Sequence, residues 1–395
     1  MLAKKIEAHG CSIVVRRVEG PAATELFIHC QPPAGIAAAG RQAEAIYRAI
    51  LQGLDAEGGS VASVVAETVF LRDLRGSIAS VREARNAVLG AAGGANARAA
   101  RTEIEQPPLV EHACLEVSVQ ALLPRESPAQ FEPIDAGPLH GGVESDRAHG
   151  LRIRLGEETR FHAAGLCGPG ETAYEQTLGM FERAEGLLQQ AGMGFGDVVR
   201  TWIYLRDIDR DYADLNRARR AFFAARGIDP APASTGIGGG PVSDAHDLCL
   251  GLYAVRAGRP ALRTVMTSPT LNEAAEYGAD FVRGMKVVEA NKVALHISGT
   301  ASIDEQGRTA HPGDFEAQAD RMLVNIAALL ERQGAGFGDV VSAITYLKHS
   351  ADAGRLREKL AAAGFAGFPH ALVAAPICRS DLLCETEALA VVAKG

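Results

Sequence analysis

The chain has 395 residues, of which 47% are hydrophobic and 22% charged, and it carries a net charge of −8 at neutral pH. That balance excludes a disordered chain, the acidic excess without a clustered basic face excludes a nucleic-acid surface, and no stretch approaches the roughly 18 apolar residues of a membrane span. The apolar run after the N-terminal lysines is too short for a leader, and seven cysteines lie scattered without a CxxC pair, so a soluble, cytoplasmic protein with reduced thiols is expected.

In chain order, the stretch from Glu25 to Leu123 carries the pattern strand, helix, strand, helix, strand, with Gln42 opening the first helix and SVVAETVFLRD (63–73) as a strand. A proline-rich stretch at 124–139 marks a boundary. From Phe161 to Val255 the pattern recurs, with Gln176 in the first helix, DVVRTWIYLRD (197–207) as a strand and NRARRAFFAARGID (216–229) as the second helix. The segment 257–290 marks a second boundary. The third copy is the clearest: VALHISGTASI (293–303) is a strand, QADRMLVNIAALLERQG (318–334) a helix stopped by Gly334, DVVSAITYLKH (339–349) a strand, AGRLREKLAAAG (353–364) a helix and LLCETEALAVV (382–392) a closing strand.

The three central strands align without gaps at offsets of 134 and 142, and the same offsets connect Gln42, Gln176 and Gln318. GFGDVV occurs verbatim at 194–199 and 336–341. A register that holds over more than 25 residues is the signature of internal duplication. Three units are expected, at 1–124, 125–256 and 257–395. Each is an α+β layer pair with two helices on one face of a mixed sheet, its other face apolar and covered by the neighbouring copies.

This order of elements, with ISGTAS (297–302) before the first helix of the third copy and an ExE closing strand, resembles the RidA/YjgF superfamily, whose members form trimers with clefts between subunits. The resemblance implies three tandem RidA/YjgF-like, chorismate mutase-like units forming a single-chain pseudo-trimer. Copies two and three resemble the narrower chorismatase (3-hydroxybenzoate synthase-like) family through RTWIYLRDI (200–208), the Asn/Arg helix, PASTGIG (232–238), EYGADFVRG (276–284), ISGTAS and ICRSDLLCETE (377–387). Copy one matches only in pattern, and is expected to be structural.

The resemblance implies removal of pyruvate from chorismate, a reaction that begins by protonating an enol carbon and so needs a carboxylic acid that keeps its proton near neutrality. Glu385 stands at the family's acid position. Glu387 follows two residues later on the same strand face, where mutual repulsion and burial raise a carboxyl pKa. Gly299 and Cys378 stand where the family's route to 3-hydroxybenzoate, with 4-hydroxybenzoate as a second product, has Gly and Cys. For a dicarboxylate substrate the candidate binders are Arg200 and Arg283, with Tyr204, Tyr277, Ser234 and Thr235; PASTGIG also reads as a loop whose amides could hold an anion. The eleven histidines show no HxxxH or HExxH spacing and there is no GxxxxGK[ST], so no metal and no cofactor are expected. The expected partner is a chorismate-like small molecule, with no nucleic acid or membrane, on a monomer or low-order homo-oligomer. Two rivals are an imine/enamine deaminase of the RidA type, whose carboxylate-binding arginine is replaced by His370 and Ala371, and a non-catalytic small-ligand-binding protein.

Overall fold

A computed structural model describes residues 3–93, 99–125, 129–135, 149–257, 263–273 and 280–392. The first unit contains β1 (Ala3–Ala8), β2 (Cys11–Glu19), β3 (Ala23–Gln31), α1 (Ala39–Ala56), β4 (Val64–Leu71), α2 (Leu74–Ala91), β5 (Ala100–Glu105) and β6 (Leu115–Pro124). The second contains β7 (Gln130–Asp135), β8 (His149–Leu155), β9 (Glu158–Leu166), α3 (Ala173–Gln190), β10 (Val198–Leu205), α4 (Ile208–Arg226), β11 (Ala233–Gly238), β12 (Gly240–Pro241) and β13 (Leu248–Arg256). The third contains β14 (Arg263–Val265), β15 (Gly284–Val288), β16 (Val293–Ala301), α5 (Phe315–Glu331), β17 (Val340–Leu347), α6 (Ala353–Ala362), β18 (His370–Ala374) and β19 (Cys384–Val392). Each unit thus builds one mixed sheet, and the orders are β1-β2-β3-β6-β4-β5-β12, β11-β10-β13-β9-β8-β7 and β14-β15-β16-β19-β17-β18.

Local chemistry explains where these elements start and stop. The side chain of Asp314 caps α5 by accepting from the Ala317 amide, and Phe315, Ala319, Met322, Leu323, Ile326 and Leu330 recur at helical spacing to form its buried stripe. Thr172 and Glu175 close a capping box on α3, while α4 ends on Gly227 at φ 61°, a left-handed conformation that costs glycine nothing. In the repeated GFGD motif, the aspartate accepts from the glycine amide three residues earlier, Asp197 from Gly194 and Asp339 from Gly336, each at 2.9 Å. Ser63 does the same for Ser60 in the first copy.

The three in-register glutamines share one task. Their side-chain oxygens accept from the backbone amides of Cys114, Asp247 and Leu383, each of them the residue before the closing strand. Each amide nitrogen donates back to loop carbonyls, such as His112 for Gln42 and Asp381 for Gln318. A buried amide that satisfies both its donor and its acceptor pins the loop that enters the last strand.

The sheets are larger than the sequence pattern suggests. The segments read as boundaries contain strands β7, β14 and β15, which extend the sheets by antiparallel pairing. The glycine-rich PASTGIG is not an anion loop but strand β11, parallel to β10, just as β5 runs parallel to β4 and β18 to β17. A short strand of small residues carries little propensity of its own, and it forms here because β10 offers a row of unpaired backbone groups.

Helices cover the outer face of each sheet, and the inner faces meet around a common axis. There the buried guanidinium of Arg160 on β9 contacts Glu25 on β3 at 2.9 Å, Glu158 at 2.7 Å and Glu289 of the third unit at 3.0 Å. Lys292, just before β16, pairs with Glu25 and with Glu289 at 3.3 Å. All five are buried. Burial alone would raise the proton affinity of Glu25, but Lys292 and Arg160 hold it below the usual carboxylate range. Backbone pairing also crosses the units: β12 pairs with β5, and the Leu109 amide donates to the Leu372 carbonyl.

Candidate functional site

A cleft of about 320 Å³ opens between helix α4 of the second unit and the sheet of the third. Tyr212 and Asn216 on α4 line one side, and Phe281, Arg283, Gly299, Cys378, Arg379 and Glu385 line the other. Glu385 reaches it because β19 pairs antiparallel with β16, placing Glu385 opposite Ala301 and beside Gly299. A Cβ on Gly299 would fall 2.1 Å from Glu385 Oε1, so glycine is what allows the carboxyl to lie there. Glu385 is 4% exposed, and burial, reinforced by the charge of Glu387 and opposed by Arg200 and Arg283, pushes its pKa from 4.5 to about 8. It is therefore a neutral carboxylic acid at pH 7.

Glu387 shares the strand face but not the cleft. Its carboxylate accepts from Arg200 Nη2 at 2.9 Å, Trp202 Nε1 at 2.6 Å and the Tyr346 hydroxyl at 3.2 Å, inside the molecule near the axis. Arg200 likewise points inward, donating to Glu387 and to Thr235 Oγ1, so it acts on the cleft through its charge rather than as part of the wall. Thr235 Oγ1 also accepts from the Gly299 amide at 3.0 Å, and the Ser234 amide donates to Ser298 Oγ at 2.9 Å; both residues stitch β11 to β16. Tyr204 is buried and faces the axis with Arg200. Tyr277 lies outside the described residues.

Of the residues expected from sequence, the structure brings Glu385, Cys378, Arg283 and Gly299 together in the cleft. Arg283 is held by Asn272, whose carbonyl accepts from Nε at 2.8 Å and whose side-chain oxygen accepts from Nη2 at 3.1 Å. Burial, with the nearby Glu385 adding to it and a hydrogen bond with Tyr212 opposing, pushes the Cys378 thiol up to about 12, so it stands as a neutral thiol rather than a thiolate nucleophile. Sequence reasoning missed Tyr212, Asn216, Phe281 and Arg379. Phe281 lies 5.6 Å from the Arg219 guanidinium and 5.5 Å from that of Arg283, a cation–π bridge from α4 to the third unit. The signal for Asn216 was present in the Asn/Arg helix; what was absent was which of its faces meets the neighbouring unit. Among the described residues no group of three or more His, Cys, Asp or Glu could hold a metal, and no helix is long and apolar enough to cross a membrane.

The Endoribonuclease L-PSP family model matches residues 162–244 and 275–392, together just over half of the chain. The chain belongs to this family, the RidA superfamily. Both matched stretches lie in the second and third units. Among RidA-superfamily relatives, the chain is 27% identical over 307 residues to a 3-hydroxybenzoate synthase of Streptomyces hygroscopicus, covering 71% of this chain and 86% of that protein. It is 30% identical over 222 residues to a chorismatase of Streptomyces rapamycinicus, covering 49% of this chain and 64% of the relative. A crystal structure of a chorismatase superposes with a TM-score of 0.59 at 21% identity, over 83% of this chain and 93% of that one, and so shares the fold. The three sheets are accordingly tandem RidA-like units, and the chain is chorismatase-like in family and architecture.

Proposed function

We propose that this protein is a chorismatase that converts chorismate into 3-hydroxybenzoate and pyruvate, with 4-hydroxybenzoate as a second product. The observation that carries the reading is Glu385, a buried, protonated carboxylic acid facing a cleft walled by arginines, a combination that relatives named chorismatase and 3-hydroxybenzoate synthase make meaningful. The substrate carries two carboxylates, for which Arg283 and Arg379 supply guanidinium donors. Phe281 offers the flat face against which a six-membered ring packs. Glu385 delivers its proton to the methylene carbon of the enolpyruvyl group, generating an oxocarbenium ion and a carboxylate that Arg200 and Arg283 stabilise. The oxygen of the neighbouring ring hydroxyl bonds to the ring carbon as the ether C–O bond there breaks, so pyruvate leaves with the ether oxygen and the hydroxyl proton returns to Glu385; breaking the original C–O bond of that oxygen, with a ring proton lost as the oxygen gains one, gives the aromatic acid with no net consumption of water. Gly299 and the neutral thiol of Cys378 match the pattern that accompanies this route in the family, whereas alanine at both positions accompanies simple hydrolysis.

The deaminase alternative loses support from His370, which stands where such enzymes carry their arginine and whose ring nitrogen is hydrogen-bonded to Thr345 at 2.8 Å. Among the described residues, the first unit, residues 1–124, contributes none to the cleft wall, and it is assigned the structural role of completing the pseudo-trimer. The deciding experiment incubates the purified protein with chorismate, follows pyruvate with a coupled assay and resolves the aromatic product by chromatography. Pyruvate with 3-hydroxybenzoate is expected. No pyruvate above background overturns the reading, and ammonia release from 2-aminoacrylate would favour the deaminase.

A further inference from the structure

The two arginines on the cleft wall, Arg283 and Arg379, come from distant stretches of the third unit, and each is anchored on a loop outside the sheet. Arg283 stands just before β15, and Asn272 takes its guanidinium at two points, the backbone carbonyl accepting from Nε at 2.8 Å and the side-chain oxygen from Nη2 at 3.1 Å. Two bonds from one residue fix the plane of the fork as well as its place. Arg379, between β18 and β19, donates from Nη1 to the Gly307 carbonyl at 2.7 Å. Both charges are felt in the cleft. They oppose the rise of the Cys378 thiol, and Arg283 also opposes the rise of Glu385.

The two anchors also touch each other. Gly307 lies in the turn that follows β16, where the Asp304 side chain accepts from the Gln306 and Arg308 amides, each at 2.9 Å, and the Asp304 carbonyl accepts from the Gly307 amide at 3.0 Å. Its φ is 75°, and a Cβ there would fall 2.5 Å from Asn272 Nδ2. Glycine is thus required twice, for the left-handed backbone and for the space that the Asn272 amide occupies. Arg321 on α5 ties the same two loops together, donating to the carbonyls of Thr270 at 2.7 Å and Ile303 at 3.2 Å and to the Glu305 side chain at 2.9 Å. Asn272 is 8% exposed, so its amide is held on all sides. The separation of the two guanidiniums is set by the contact of Asn272 with Gly307, not by the long arginine side chains.

The chemistry of these anchors matters as much as their position. Arg200 is bonded to the carboxylate of Glu387, which offsets its charge. Asn272 and Gly307 offer neutral oxygens, which orient a guanidinium without offsetting the charge it presents to an anion. Two fixed cationic forks on one wall favour a ligand that carries two anionic groups at a matching distance.

We propose that Asn272 is a positioning residue that sets the specificity of the cleft for a ring bearing two carboxylates, by holding Arg283 at a fixed separation from Arg379. The inference deepens the chorismatase reading and rests on its assignment of the cleft to a dicarboxylate. The probes are 3-(carboxymethoxy)benzoate, a stable ring dicarboxylate with an ether arm, and benzoate, which has one carboxylate. In titration calorimetry of the full chain, the wild type should bind the dicarboxylate about tenfold or more tightly than benzoate. Asn272→Ala removes one of the two acceptors of Arg283. Its dicarboxylate affinity should fall about tenfold or more, while that of benzoate, which Arg379 still holds, falls less than about threefold. Asn272→Asp keeps the shape and both acceptors but sets an anion against Arg283, and it too should weaken the dicarboxylate about tenfold or more.

A role in folding alone would lower both probes alike in Asn272→Ala and leave the isosteric Asn272→Asp close to wild type. A wild type without the preference, an unchanged ratio of the two affinities in Asn272→Ala, or an Asn272→Asp variant that binds as wild type does would each overturn the proposal. The aspartate variant tests it even if the alanine variant fails to fold. A preference that the variants lose, in a protein that releases no pyruvate from chorismate, would sustain this inference and overturn the chorismatase reading. Pyruvate release with an unchanged preference in Asn272→Ala would overturn this inference alone.

Discussion

Replacing Glu385 by glutamine should make the protein more stable while abolishing its chemistry. The folded state holds the Glu385 proton up to about pH 8, while the ordinary value is 4.5. The stability this group contributes is therefore complete below pH 4.5 and is lost progressively as pH rises to 8, because the unfolded chain ionises first. At about 1.4 kcal/mol per pH unit, the shift removes about 3 kcal/mol by pH 7 and about 5 kcal/mol above pH 8. Glutamine has the same shape and no proton to lose, so Glu385→Gln escapes this loss. Thermal melts of wild type and variant should coincide at pH 4.5 and separate steadily above it, the variant melting several degrees higher at pH 8.5, while pyruvate release from chorismate falls to background. A variant that melts at or below the wild-type temperature at pH 8.5 would refute the argument, since Glu385 would then have been ionised and well solvated throughout.

Three further outcomes follow from neighbouring contacts. Glu387→Gln removes the carboxylate that raises the proton affinity of Glu385 and leaves the Arg200 charge beside it, so the alkaline limb of the pH–rate profile should move down by about one unit or more; an unmoved limb would separate the two glutamates. Arg160→Met strips the central cation from Glu25, Glu158 and Glu289 and should destabilise the assembly by about 3–5 kcal/mol, read as an earlier onset of unfolding in urea; an unchanged transition would mean the cluster is not buried as described. Gly299→Ala sets a methyl 2.1 Å from Glu385 Oε1, which displaces the acid by about 1 Å and should lower pyruvate release by about 100-fold, with the remaining turnover shifted toward hydrolysis. Unchanged turnover and product in that variant would show that Glu385 is not bound by this contact.

Much of the architecture is legible before any coordinates. The offsets linking Gln42, Gln176 and Gln318 announce three equivalent units, and in each the glutamine's side-chain oxygen accepts from the amide just before the closing strand. The alternation in ETE places Glu385 and Glu387 on one face, as they are. What the alternation does not say is what that face looks at. Along β19 the same face passes from the cleft, at Glu385, to the axis, at Glu387, within two residues, and along β10 Arg200 turns to the axis although its sequence block resembles a substrate-binding motif.

The residues that sequence reasoning missed share one cause. Tyr212 and Asn216 matter because α4 of the second unit packs over the third, and Arg379 and Phe281 because they stand opposite that helix. β11 forms because β10 lies beside it, and Ala66, Ser118, Gly251 and Ser342 converge from three sheets on a cavity of about 170 Å³ between the inner faces. The sequence by itself determined the strand–helix–strand–helix–strand pattern of each unit, its threefold repetition and the alternation of faces along those strands, since these depend on periodicity and capping within a few residues. Only the tertiary structure decided which unit each face meets, because contacts between distant segments carry no local signal, and both the cleft and the cavity between the inner faces are made of such contacts.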